Sequence, residues 1–164
     1  MLLAVFLAFC SCNNEGRIEK EIKALSGREL LFPEGYVSLS YHDSLKVEPL
    51  VNADIKIVSY YDNIVCSSCS LNKLKAWVSQ ADSIDPEIPY LIVIHSNKKE
   101  EFVETARQIK LPYPLMFYDS DVFKVENKLD VLDQNRTFLL DKNNKIVLVG
   151  EPFSLPHKIR NHGK

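Results

Sequence analysis

Apolar residues in this chain recur in patterns that separate helices from strands. In residues 15–26, Ile18, Ile22 and Leu25 return at four- and three-residue steps among charges, and Gly27 follows, which predicts a short amphipathic helix with a glycine stop. Leu71, Leu74, Val78 and Ala81 repeat that period, with Lys73, Lys75 and Gln80 between them, and predict a helix to about residue 83. Phe102, Ala106 and Ile109 share one face of a third helix over 98–109, whose exit is bracketed by Pro112 and Pro114. Nearly continuous apolar runs at 54–60 and 90–94 read instead as strands buried on both faces, and 115–118 adds another. Residues 29–32, ended by Pro33-Glu34-Gly35, and residues 36–40 read as two short strands. Residues 119–127 read as a short helix or turn. The runs 137–140 and 146–149 flank Asp141-Lys142-Asn143-Asn144-Lys145, a hairpin whose asparagines tolerate positive φ. The tail holds one helical turn.

The resulting order is β-α-β-α-β followed by β-β-α: an α/β fold, with a central mixed sheet and flanking helices. No internal repeat, low-complexity stretch or second domain boundary interrupts it. At 164 residues, 46% hydrophobic and 26% charged, the chain has the size of one globular domain plus extensions. A net charge of −2 gives no electrostatic case for nucleic acid.

Four cysteines fall into two pairs with different expected fates. Cys66-Ser67-Ser68-Cys69 follows the β-branched run and a short polar loop, and opens the predicted helix at Leu71. Cys66 is thus expected at or just before a helix N-terminus, where unpaired N–H groups and the positive end of the dipole favour a thiolate. Cys69, three residues on, falls within disulfide reach. As a redox pair, Cys66 would attack a disulfide and Cys69 would resolve the mixed disulfide. Two blander readings stand beside this one: an inert surface disulfide, and half of a metal site. The second would need further ligands, and His42, His95, His157 and His162 show no spacing that supplies them; no metal and no cofactor is expected. Asp62 and Asn63 lie beside the dithiol in sequence and are candidates for passing a proton through water. Tyr60 and Trp77 read as packing residues, and His95 as a loop-end residue.

The other cysteine pair sits in the leader. Residues 2–9 are apolar, too short to span a bilayer as a helix, and of the length of a signal-peptide hydrophobic region. Cys10-Ser11-Cys12 follows, with small Ser11 before Cys12 and bulky Phe9 before Cys10. The pattern resembles a bacterial lipoprotein signal, which implies cleavage and a lipid-modified Cys12; a secreted or uncleaved leader is the alternative. Phe9 stands where the usual Leu would, and no Lys or Arg precedes the apolar run. Either version takes the chain out of the cytosol, to the cell envelope on the periplasmic side of a membrane or to the cell surface. Cys66 and Cys69 would then be the thiols left in the mature chain.

Taken together, the dithiol after a β run, the order of elements, and Arg136-Thr137-Phe138-Leu139-Leu140-Asp141-Lys142 before a hairpin resemble the thioredoxin superfamily. The likeness is nearest to membrane-tethered thiol-disulfide oxidoreductases of the cytochrome-maturation type and to small lipoproteins of that class in Bacteroidetes, and covers about residues 45–155. It implies three parts: a signal peptide over 1–12 ending at Cys12, an N-terminal helix and extension over 13–44, and a thioredoxin-like domain over 45–164 with a short C-terminal helix. The helix before the domain is either a spacer that lifts it off a membrane or an element packed on its side.

Three positions depart from the family. Val65 stands where an aromatic usually precedes the first cysteine. Tyr60, six positions before Cys66, stands where thioredoxins keep a buried Asp as proton acceptor. Arg136 stands where a cis-proline precedes the Thr. An Arg there resembles peroxiredoxins, in which it stabilises the catalytic thiolate, although the Pro and Thr upstream of a peroxiredoxin cysteine are absent around Cys66. Arg136 is therefore expected either to stabilise the Cys66 thiolate or to point outward and pair with an acid such as Asp133. Thr137 is expected to face the substrate. The function implied is an exported thiol-disulfide oxidoreductase acting on thiols or disulfides of envelope proteins, supplied by an upstream redox partner and held to the membrane by its lipid. A thioredoxin-fold binding or redox-responsive module without turnover is the alternative, and a peroxidase a weaker one.

Overall fold

The computed structural model describes residues 4–39, 46–62, 79, 87–109, 114–130 and 136–150. Among them run helix α1 (Ala4–Leu25), strand β1 (Val37–Leu39), helix α2 (Glu48–Val51), β2 (Ile55–Tyr61), β3 (Tyr90–His95), α3 (Lys99–Ile109), β4 (Leu115–Tyr118), α4 (Val122–Glu126), β5 (Thr137–Asp141) and β6 (Ile146–Val149). The strands form one sheet in the order β1-β4-β3-β2-β5-β6. β2, β3 and β4 are parallel, while β1, β5 and β6 run antiparallel to their neighbours, so the sheet is mixed as the element order implied.

The two apolar runs read as core strands lie in the middle because no alternation marks either of their faces for solvent. In β3, Tyr90 to Ile94 are all buried. Register sets which residues share a face. Val58 lies opposite Leu91 and Phe138, and Tyr60 opposite Val93. These side chains pack with Leu25, Leu30, Val47, Phe123 and Leu129 in the main core. Burying each large apolar side chain contributes about 1.5–3 kcal/mol. On the other face Phe102 of α3 stacks on Phe117 of β4, ring centroids 5.4 Å apart.

Residues 29–32 do not form the expected strand. Glu29 makes a single bridge to Lys145, and the backbone beyond it finds other partners. The Leu30 N–H donates to the Asn144 carbonyl at 2.8 Å, and the Leu31 N–H donates to Asn127 Oδ1 at 2.7 Å. Asn127 Nδ2 donates in turn to the Leu31 carbonyl at 2.8 Å and to the Phe123 carbonyl at 2.9 Å. One buried amide thus does for this segment what a neighbouring strand would do, since both peptide groups of Leu31 are satisfied by it.

α1 runs without a break from Ala4 to Leu25, so both Cys10 and Cys12 lie in it. No helix among the described residues is long and apolar enough to cross a membrane. Its last turn packs on the domain: Leu25 is buried, the Gly27 N–H donates to the Ile146 carbonyl and the Ile146 N–H to the Arg28 carbonyl, both at 2.8 Å. Gly27 has φ +77°, a left-handed conformation that glycine adopts without steric cost, which ends the helix where the sequence placed its stop. Asn144 takes φ +58° in the β5–β6 hairpin, as the turn chemistry there predicts. α2 had no counterpart in the apolar pattern, being a single turn of four residues.

Candidate functional site

Cys66 and Cys69, the helix expected after them with Trp77, and the expected C-terminal helical turn lie outside the described residues. What the structure describes is the sheet edge from which the dithiol segment departs. β2 ends at Tyr61, followed by Asp62, four positions before Cys66. β5 runs antiparallel to β2 with Ser59 opposite Thr137, which brings the start of β5 to the C-terminal end of β2. The Tyr60 N–H donates to the Arg136 carbonyl at 2.9 Å and closes this edge. Arg136 and Asp62 are thereby neighbours despite their distance in sequence.

The Arg136 guanidinium bonds Asp62, Nη1 to Oδ1 at 3.0 Å. The other carboxylate oxygen takes a third element: Lys124 Nζ, on α4, lies 3.1 Å from Asp62 Oδ2. The Asp62 and Arg136 side chains are 17% and 19% exposed, so the pair is shielded enough for its charges to matter more than a surface ion pair would. Partial burial pushes the Asp62 carboxyl up. The Lys124 hydrogen bond and the charges of Arg136 and Lys124 outweigh that and hold it below the usual carboxylate range. A carboxyl held ionised in this way is a weak proton donor at neutral pH, which counts against the proton-passing role considered for Asp62.

Beneath this triad lies Tyr60. Its side chain is fully buried, its ring is 5.2 Å from that of Phe123, and it packs in the core as the sequence suggested. Its hydroxyl is buried and has no hydrogen-bond partner among the described residues. Burial raises its pKa first, the Asp62 and Asp121 charges add to that, and the Arg136 charge works against them. A phenol held neutral in this way offers no acceptor for a proton at neutral pH.

Thr137 is turned toward the opposite face. It is 5% exposed, and its Oγ1 lies 2.8 Å from Ser59 Oγ, which also lies 2.6 Å from the Tyr90 hydroxyl. Three buried hydroxyls thus satisfy one another across β2, β3 and β5. Its carbonyl accepts from the Gly150 N–H at 2.8 Å. No cis peptide bond occurs among the described residues.

The structure therefore brings together Arg136, Asp62 and Tyr60, and leaves Thr137 buried on the opposite face. Lys124 was missed because nothing in its local sequence distinguishes it from any solvated lysine on a short helix. Two signals were available for the rest: the acid directly after a core strand, and the arginine directly before another. Among the described residues, no group of three or more His, Cys, Asp or Glu is placed to hold a metal ion.

No protein-family model matches this chain, and no curated protein matches it. Solved structures do. A thioredoxin-like protein in its oxidised form aligns over 83% of this chain and 90% of its own, with a TM-score of 0.51 and 11% identity. The thioredoxin domain of a thiol-disulfide oxidoreductase from Bacteroides vulgatus aligns over 82% and 95%, with a TM-score of 0.51 and 15% identity. The fold is thioredoxin-like, as the sequence resemblance implied.

Proposed function

From that fold we propose that the chain acts as an exported thiol-disulfide oxidoreductase, with the Cys66/Cys69 dithiol as its redox centre. The observation that carries the reading is the topology: β2, a central parallel strand, ends at Tyr61, five positions before Cys66 in the sequence, and its C-terminal end lies beside Arg136, the residue before the antiparallel strand β5. The thioredoxin-like neighbours support it at the level of fold.

The chemistry is thiol-disulfide exchange. Cys66, as thiolate, attacks one sulfur of a substrate disulfide. A bond forms between Cys66 and that sulfur, the substrate S–S bond breaks, and the second substrate sulfur leaves and takes up a proton. Cys69 then loses its proton and attacks Cys66. The Cys66–Cys69 bond forms, the mixed disulfide breaks, and the first substrate sulfur leaves as a thiol. The substrate gains two electrons and two protons, the chain becomes the disulfide, and a dithiol partner upstream reduces it again. Run in reverse, the same steps donate a disulfide.

Arg136 contributes a permanent positive charge toward the thiolate, being always ionised. Thr137 fixes where Arg136 starts, with its hydroxyl spent on Ser59. Envelope proteins bearing thiols or disulfides are the substrates that export implies, with a lipid on Cys12 as the membrane anchor.

A trapping experiment tests the reading. Cys69→Ser is expected to accumulate mixed disulfides with envelope proteins, whereas Cys66→Ser accumulates few, and the wild type is expected to reduce insulin with dithiothreitol as reductant. Equal trapping by both variants together with no insulin reduction would leave a binding module without turnover. An unmodified Cys12 in the mature protein would remove the anchor and leave the redox reading intact.

A further inference from the structure

We propose that α1 is a stiff stand-off, which holds the domain at a short and nearly fixed height above a lipid surface. The inference rests on the reading of Cys12 as the membrane anchor, and adds what lies between anchor and domain.

The backbone is helical at residue 12 and on to Leu25, and no linker follows. Leu25 is buried in the main core with Leu30 and Ile146. Only Ser26 stands between it and Gly27, whose N–H already bonds the Ile146 carbonyl. The Ser26 N–H donates to the Ile22 carbonyl at 2.9 Å and the Arg28 N–H to that of Leu25 at 3.1 Å. Helix and sheet edge thus join through hydrogen-bonded backbone. Arg28 adds a side-chain bond, Nη2 to the Asn127 carbonyl at 2.6 Å. Along the helix Ile18 and Ile22 are half-buried on the face that Leu25 continues, while Glu15, Arg17, Glu19, Lys20 and Lys23 are exposed. Arg17 pairs with Glu21 at 3.2 Å and Lys23 with Glu19 at 2.7 Å, each about one turn apart. Such pairs contribute only about 0.2–0.5 kcal/mol each, so the docked last turn does most to keep the helix from fraying. From residue 12 to residue 25 the helix rises roughly 20 Å, against roughly 45 Å for the same chain extended. A tether of that kind neither swings nor lengthens. It keeps the domain in a thin layer shared with other proteins of the same membrane, which raises their effective concentration over that of partners free in solution.

Two measurements test it. On the full chain in solution, the amides of residues 17–25 are expected to exchange with deuterium about tenfold or more slower than in an unfolded chain. Exchange at the unfolded rate up to Ala24 overturns the stand-off. The mature lipoprotein is then placed on phosphatidylcholine vesicles with a fluorophore at Lys142 in the hairpin, and its anisotropy decay is followed. A high residual anisotropy is expected, falling in Lys20→Pro, which breaks the helix at an exposed position and leaves the core untouched. Equal residual anisotropy in the two proteins overturns the proposal. A chain that does not bind vesicles and carries an unmodified Cys12 fails the anchor reading instead, and takes the stand-off with it even where α1 exchanges slowly. A bound chain with equal anisotropy in both proteins fails the stand-off alone.

Discussion

Strand β2 carries a charged group near each end, and the two are held in different ways. At its start Lys56 is fully buried, and its ammonium donates to the Ala53 carbonyl at 2.9 Å and the Asp141 carbonyl at 3.3 Å. The Asp141 carboxylate is occupied elsewhere, accepting from the Asn143 and Lys145 N–H groups of the hairpin at 2.8 and 2.9 Å. Beyond the strand's other end Asp62 is held by full charges. Backbone carbonyls are fixed by the fold and cannot gain or lose a proton, so at the Lys56 end only the lysine itself can change its charge. The Asp62 end is a balance among ionised side chains, which a neighbouring charge or a change of pH can tip. The Lys56 end faces the turn of a hairpin, and the Asp62 end is the one that precedes the dithiol segment in the sequence.

The largest effect should come from breaking the charged end. Asp62→Ala leaves Arg136 and Lys124 without their shared carboxylate and is expected to cost about 1–3 kcal/mol at pH 7, below the cost of breaking a fully buried pair because all three groups reach solvent. Because the folded carboxyl lies below its unfolded value, its contribution is fully present above about pH 4 and is lost as pH falls through the folded value. Urea titrations at pH 7 and at stepped acid pH should show the gap between wild type and variant closing over that interval. A gap independent of pH would mean that Asp62 acts by packing.

A smaller effect is expected at the Lys56 end. Lys56→Met removes two hydrogen bonds but also the cost of burying an ammonium, and the net change at pH 7 should be within about 1 kcal/mol. Burial lowers the Lys56 pKa, and the Asp141 and Asp54 charges only partly restore it. The folded state therefore releases this proton first, so wild type should gain stability relative to Lys56→Met as pH rises from the folded value toward the unfolded one near 10.5. Denaturant midpoints for both proteins between pH 7 and 10 measure that slope. Its absence would mean that burial does not lower the Lys56 pKa.

The smallest change should be a gain. Tyr60→Phe deletes a buried hydroxyl that has no partner among the described residues, and should raise stability by up to about 1 kcal/mol while leaving the ring packed on Phe123. A loss of stability would mean that the hydroxyl is bonded in solution, most simply through a water to the triad above it.

Much of the fold was legible because its central strands are continuous apolar runs. The pattern over 54–60 and 90–94 leaves no polar face, so a place in the middle of a parallel sheet follows directly. The hairpin was legible for a different reason, since Asn144 is tolerant of the backbone conformation the turn needs. Residues 29–32 misled because Leu30, Leu31 and Phe32 look like a strand locally, whereas the Leu30 backbone bonds the Asn144 carbonyl and the Leu31 backbone bonds the Asn127 side-chain amide, both far along the chain. α2 is too short to show a period. Of the site, the sequence marked Arg136, Thr137 and the dithiol, and set two partners for Arg136, the thiolate or Asp133. It did not pair Arg136 with Asp62, because that contact depends on β5 lying antiparallel to β2 in one register, which no local pattern encodes.

The segment between α1 and β1 has a consequence for how copies of this protein behave toward one another. β6 is the last strand of the sheet, and its outer backbone at Ile146 is occupied by Gly27 and Arg28, with Leu30 bonded to Asn144 just before it. Val147 and Leu148, the next residues along, are exposed apolar side chains. An open strand edge beside such side chains is a template on which another chain can add. Residues 27–30 work as a selvedge, finishing the border so that the sheet does not grow by stacking onto its neighbours.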